Sequence, residues 1–263
     1  MDNVDYSPLD RPEVIGALFF PQKMWSAPPP IAHDFMVQVG GGIAISARFY
    51  VRHNDAPNVL FFHGNGEVAS EYDATAPLYL QAGANFLVVD YRGYGKSGGH
   101  PSFQSMMQDA LQIAEFFESQ LASTEFSGPR FVMGRSLGSQ SAIQIAAMAS
   151  KGLSGMIIES GFTGTEHLAS QFGLAIMTPE LKELARAHRT KLQSIHVPVL
   201  VIHGEDDELV PVDAGVDIYD AVASEYREIV IIPGAGHNDI LRAGMEPYLT
   251  GLRDFLRKHS GTA

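Results

Sequence analysis

The chain has 263 residues, a net charge of −12 and no cysteine. The missing cysteines exclude disulfides, thiolate metal sites and a cysteine nucleophile. Eighteen lysines and arginines against thirty acids form no basic cluster that could neutralise phosphates, which argues against a nucleic-acid partner. No run approaches the ~18 apolar residues of a membrane span, and the acidic N-terminus, with Asp2, Asp5, Asp10 and Glu13, is unlike a secretory signal. The expectation is a cytoplasmic protein, without a membrane span, built on one large domain.

Residues 1–34 carry Pro8, Pro12, Pro21 and the run Pro28-Pro29-Pro30. Proline fixes φ and removes a donor, so an extended surface arm is expected there. Residues 35–39 and 43–50 flank three glycines and read as a β-hairpin. Residues 58–62, 85–89, 130–133, 156–158, 197–202 and 229–232 are short, unbroken apolar runs, the pattern of strands covered on both faces. Helical spacing lies between them. Ser102 is placed to cap a helix through Met106, Ala110, Ile113 and Phe117, and Ala142, Ile145, Ala146 and Ala149 make a second. Met245, Leu249, Leu252, Phe255 and Leu256 make a stripe near the C-terminus. Strands alternating with helices imply a mostly parallel, doubly wound α/β sheet, here with an antiparallel edge.

The segment Gly134-Arg135-Ser136-Leu137-Gly138 stands between an apolar strand and a small-residue helical pattern. A turn that tight requires flanking glycines and lifts the serine hydroxyl above the sheet in a strained conformation. A serine hydroxyl needs a base. His237, between the last strand and the last helix, is preferred to His203 because the base follows the acid in chain order. The base in turn needs a carboxylate to hold its tautomer. Glu205, Asp206, Asp207 and Glu208 follow one strand directly, and Glu159 ends another. An oxyanion hole is expected from the amide of Leu137 and from the loop His63-Gly64-Asn65-Gly66-Glu67, with Asn65 first and Gly66 second.

Taken in order, His63-Gly-Asn-Gly66, Asp90-Tyr-Arg-Gly-Tyr-Gly95-Lys-Ser97, Gly134-Arg-Ser136-Leu-Gly138, His203-Gly-Glu-Asp-Asp207-Glu-Leu-Val-Pro211 and Gly236-His237 resemble the serine-dependent α/β-hydrolase superfamily. The resemblance covers roughly residues 35–258 and is nearest the serine-aminopeptidase-like and dienelactone-hydrolase-like branch. It implies an α/β-hydrolase fold, mostly parallel, with an antiparallel N-terminal hairpin and a small cap. It selects Asp207, by its offsets from His203-Gly204 and Val210-Pro211, with Asp206 second. It also implies a Ser136–His237–Asp207 triad that cleaves a small-molecule ester or thioester without metal or organic cofactor.

In the family the chain resembles, the residues after His-Gly-Asn are often Ala-Gly-Asn; here they are Gly66-Glu67-Val68, and Glu67 is expected to place charge near the mouth of the site, beside Gly66. Gly93-Tyr-Gly95-Lys-Ser-Gly98 imitates a dinucleotide fingerprint, yet the helix is expected only after Pro101 and Ser102, and Asp90 stands where a phosphate loop needs glycine. The connection 160–196 exceeds an ordinary strand–helix–strand link and reads as a small lid within a hydrolase domain of residues 35–263. Leu168, Phe172, Leu174, Ile176, Met177, Leu181 and Leu184 either line an acyl pocket there, Phe172 and Met177 being the named substrate contacts, or pack as ordinary core faces. Two rival functions stand beside the esterase: an aminopeptidase or amidase, with Glu67 or Glu159 holding an amine, and a non-catalytic binding protein of the same fold.

Overall fold

Unbroken runs of valine, leucine, isoleucine and phenylalanine pair into strands whose two faces both need cover. In the computed structural model, which describes residues 4–164 and 178–261, these runs form one eight-stranded sheet. The strands are β1 (Ala32–Val39), β2 (Ile43–Tyr50), β3 (Asn58–Phe62), β4 (Asn85–Val89), β5 (Arg130–Arg135), β6 (Leu153–Glu159), β7 (Val199–Gly204) and β8 (Arg227–Ile232). Their spatial order is β1-β2-β4-β3-β5-β6-β7-β8. β2 is antiparallel to both β1 and β4, and every other pair is parallel. This is the expected α/β-hydrolase sheet with its antiparallel N-terminal edge. Gly41 and Gly42 turn the hairpin at φ 77° and 68°, a left-handed backbone that favours glycine.

The helices are α1 (Pro12–Leu18), α2 (Ala76–Ala82), α3 (Phe103–Ala122), α4 (Ser139–Met148), α5 (Pro179–Leu192), α6 (Val212–Ala221) and α7 (Ile240–His259). Every residue of β3, β4 and β7 is buried. Leu60 and Phe62 of β3 enter a core completed by α3, α4, α5 and α6, while Val59 and Phe61 enter a second core completed by α2 and α7. That alternation is the strand's period of two, read on both faces. Ser102 caps α3, its hydroxyl accepting from the Ser105 amide at 3.1 Å.

Two expectations change. The N-terminal arm is not extended throughout: its described part, residues 4–34, holds a 3₁₀ turn at Ser7–Leu9 and the helix α1. Pro12 opens α1, where its missing amide costs nothing, and Leu9, Val14 and Leu18 bury in the first core. The C-terminal stripe begins later than its spacing implies. Leu249, Leu252, Phe255 and Leu256 are buried, but Met245 is 47% exposed. The helix is kinked at Gly244, which packs so closely on Ile232 that a Cβ would lie 2.2 Å from its Cγ2, and Pro247 follows.

Within the connection 160–196, Leu181 and Leu184 of α5 belong to the first core, and Leu184 also lines a pocket between α5 and residues Val4, Asp5 and Pro8 of the arm. Leu168, Phe172, Leu174, Ile176 and Met177 lie outside the described residues. Among the described residues no helix is long and apolar enough to cross a membrane.

The rest of the arm is tied down by Arg48 on β2. Its buried guanidinium meets Asp34 at 2.8 Å and Asp73 at 2.9 Å, and donates to the Ser26 carbonyl at 2.7 Å. Arg48→Met strands two carboxylates. Because these remain 22% and 28% exposed, the expected loss is at the lower end for a broken buried pair, about 3 kcal/mol of unfolding free energy. Urea denaturation measures it; an unchanged midpoint contradicts the role.

Candidate active site

β5 ends at Arg135, and the chain turns straight into a 3₁₀ turn, Ser136–Gly138, that leads into α4. Ser136 sits at φ 51°, in the left-handed region that non-glycine residues avoid. Both glycines of the motif are required by backbone contact. A Cβ on Gly134 would lie 2.3 Å from the Gly138 carbonyl oxygen, and one on Gly138 would lie 2.1 Å from that of Phe62. The turn is therefore wedged against the end of β3, which brings the following loop, residues 63–67, beside the serine.

Three loops from three strand ends meet at Ser136. His237 follows β8 and Asp207 follows β7. His237 Nε2 is 2.9 Å from Ser136 Oγ, and His237 Nδ1 is 2.8 Å from Asp207 Oδ2. All three side chains are nearly buried. Asp207 Oδ1 accepts from the amides of Leu209 at 3.0 Å and Val210 at 2.7 Å. Burial alone would raise the Asp207 carboxyl, but hydrogen bonds from His203, His237 and Val210 outweigh it and hold the group well below the usual carboxylate range. An ionised Asp207 keeps the proton on Nδ1 of His237 and leaves Nε2 free to accept from the serine hydroxyl. Glu205, Asp206 and Glu208 are exposed, so of the acidic run only Asp207 reaches the histidine. His203 braces the acid: its Nε2 donates to the Val210 carbonyl at 2.8 Å and lies 3.5 Å from Asp207.

The loop after β3 is fixed from several directions. His63 is fully buried, with Nδ1 2.8 Å from the Gly64 carbonyl and Nε2 3.1 Å from Asp90. Asp90 also accepts from the Ala69 amide at 2.8 Å and Ser46 Oγ at 2.5 Å, and Tyr91 donates to the His63 carbonyl. The Asp90–Gly95 motif thus braces the rim, and its glycines do not open a helix, because α3 starts at Phe103. Asn65 commits its side-chain oxygen to the Phe20 amide at 2.9 Å and to Tyr94 Oη at 2.8 Å. Gly66 takes φ 78° beside Phe20.

Both ring nitrogens of His63 face acceptors, so only the imidazolium satisfies both. Burial opposes that charge, but Asp90, Glu67 and the Gly64 carbonyl together more than offset it and the His63 pKa is raised. A raised histidine contributes stability that is fully present below its ordinary value of about 6.5 and is lost as pH rises through the folded value. The wild-type protein is therefore expected to lose more unfolding free energy than His63→Asn as pH is raised above 6.5, in paired denaturation curves. Parallel pH profiles would contradict this.

Glu67, expected to place charge near the mouth of the site, is engaged on both oxygens: Oε1 pairs with Arg135, and Oε2 accepts from the Gly64 amide at 2.9 Å and Tyr72 Oη at 2.6 Å. Burial would raise its carboxyl, but Arg135 and His63 hold it below the ordinary glutamate value. Glu159 is engaged as well, with Arg135 Nε at 3.1 Å and Tyr248 Oη at 2.5 Å, and burial pushes its carboxyl up. Arg135 itself was legible only as a spacer within the serine motif. A charged side chain in that position must find partners when buried, and the loop after β3 and the end of β6 supply them.

Residues 54–186 and 175–241 match the family described as serine aminopeptidase, S33. The chain belongs to this family of the α/β-hydrolase superfamily and is, at that level, a hydrolase. It is 29% identical over 236 residues to the protein Rv2307c of Mycobacterium tuberculosis, covering 86% of this chain and 80% of the relative. It is 27% identical over 229 residues to the lysophosphatidylserine lipase ABHD12 of Danio rerio, covering 76% of this chain and 58% of that protein. Among solved structures, the esterase Pf2001 of Pyrococcus furiosus superposes with a TM-score of 0.74 at 19% identity, covering 93% of this chain and 98% of that one.

Proposed function

We propose that the chain is a serine hydrolase that cleaves a carboxylic ester or thioester of a small molecule through an acyl-enzyme. The observation that carries this reading is the hydrogen-bonded series Ser136–His237–Asp207 at the end of a strained strand-to-helix turn. His237 Nε2 takes the hydroxyl proton as Ser136 Oγ attacks the acyl carbon. The amides of Asn65 and Leu137 hold the oxyanion of the tetrahedral intermediate, a contribution of roughly 2.7–4 kcal/mol per donor in comparable sites. Asp207, ionised and fixed by two amides, stabilises the imidazolium. The intermediate collapses, the bond to the leaving oxygen or sulfur breaks, and His237 returns its proton to that atom. Water, deprotonated by the same nitrogen, then releases the acid and regenerates Ser136.

Two features support ester over peptide cleavage. Glu67 and Glu159, the carboxylates the sequence offered to anchor a substrate amine, are both paired with Arg135. A lipase and an esterase stand among the similar proteins. The family's description as a serine aminopeptidase is what favours the rival. Parallel assays on p-nitrophenyl esters and aminoacyl p-nitroanilides separate the two. Higher kcat/KM on the esters is expected; preference for the anilides overturns the assignment. A series graded by acyl length then reports the depth of the acyl site.

A further inference from the structure

The geometry points to Arg135 as the positioning residue that locks the base loop and the oxyanion loop to the nucleophile, by one guanidinium that reaches all three. This rests on the serine-hydrolase reading above. Arg135 directly precedes Ser136, so its backbone is part of the nucleophile turn. Its Nη2 donates to the His237 carbonyl at 2.9 Å and to Asn238 Oδ1 at 2.9 Å. Its Nη1 pairs with Glu67, whose other oxygen holds the Gly64 amide at 2.9 Å. Its Nε donates to Glu159, which fixes the head group from the end of β6.

Gly64 records how close this approach is. A Cβ there would lie 2.6 Å from Arg135 Nη1 and 3.0 Å from Glu67 Oε1. Gly64 is thus kept small by the guanidinium and not by a left-handed backbone. The arginine lies between two carboxylates, one partly exposed and one buried, with Tyr72 on the first and Tyr248 on the second. None of these groups needs to touch substrate. Their effect is to set the distance and angle of His237 Nε2 and of the Asn65 amide relative to Ser136 Oγ. Displacements of about 1 Å in such a constellation cost on the order of 10²-fold in rate.

The fork is what matters, so a lysine cannot replace it: lysine keeps the charge but offers a point donor in place of a planar one. The test uses Arg135→Lys, Arg135→Met and Glu67→Gln in the full chain. Each is read by kcat and KM on a p-nitrophenyl ester, by thermal melting, and by the downfield proton resonance of His237 Nδ1. The expected result is a kcat about 10²-fold lower for both arginine variants, a smaller loss for Glu67→Gln, KM little changed, and a shifted or broadened Nδ1 proton signal in protein that still melts cooperatively. Arg135→Met is the variant most at risk of failing to fold; Arg135→Lys and Glu67→Gln keep the test open. Wild-type kcat together with an unmoved Nδ1 resonance in Arg135→Lys overturns the positioning role. So does a loss of kcat that matches the fraction of unfolded molecules. Ester turnover by the wild-type chain is read first and separately: its absence removes the hydrolase reading and this inference with it, whereas turnover that Arg135→Lys leaves intact removes the inference alone.

Discussion

Ser136→Ala is expected to lower kcat for ester hydrolysis by about 10⁶-fold, the cost of deleting the nucleophile from a site whose members act as a unit. The substitution removes one oxygen and keeps the Cβ, so the backbone at φ 51° and the contacts of Gly134 and Gly138 stay as they are. His237 and Asp207 remain hydrogen-bonded to each other. Folding is therefore preserved, and a matching circular-dichroism melt shows that the lost activity is chemical. Residual turnover above the uncatalysed rate is expected, because the amides of Asn65 and Leu137 still stabilise an oxyanion attacked by water. Turnover near the wild-type level would remove Ser136 from the mechanism.

Asp207→Asn is expected to cost about 10⁴-fold in kcat, with Asp206→Asn close to wild type. An amide in place of the Asp207 carboxylate cannot both accept from His237 Nδ1 and keep its two backbone donors, Leu209 and Val210, on one ionised group. The imidazole then loses both its tautomer and the charge that stabilises its protonated form. Asp206 is exposed and does not reach the histidine, so its substitution is the internal control. A large loss from Asp206→Asn, or none from Asp207→Asn, would contradict the geometry.

What could be read from the residues divides along a physical line. β3, β4 and β7 were legible because every residue in them is buried, so their sequence is apolar without interruption. The meeting of Ser136 and His237 was legible because each lies just beyond a strand that ends at one edge of a parallel sheet, in the chain order such a pair takes; Asp207 was singled out from Glu205, Asp206 and Glu208 only by the offsets of the family the chain resembles. The helix Pro12–Leu18 was hidden: with seven residues it carries too little periodicity to outweigh the prolines around it, and its stability comes from burial of Val14 and Leu18. The kink that turns Met245 outward depends on Gly244 meeting Ile232, a contact no local pattern encodes. Arg135 was hidden for a different reason. Its partners Glu67 and Glu159 stand 68 and 24 residues away and become neighbours only because the sheet orders its strands β3-β5-β6. The pairing of Glu67 was hidden for the same reason, since a charge beside such a loop looks free until its counter-ion is placed.

The central claim is that Ser136 is an activated nucleophile, and a fluorophosphonate probe tests it most directly. Treatment of the folded wild-type protein, followed by peptide mass spectrometry, is expected to place one phosphonyl group on Ser136, with labelling abolished in Ser136→Ala and strongly slowed in a His237→Ala variant. Folded wild-type protein that remains unlabelled, or that carries the group on another residue while Ser136 is free, would contradict the account.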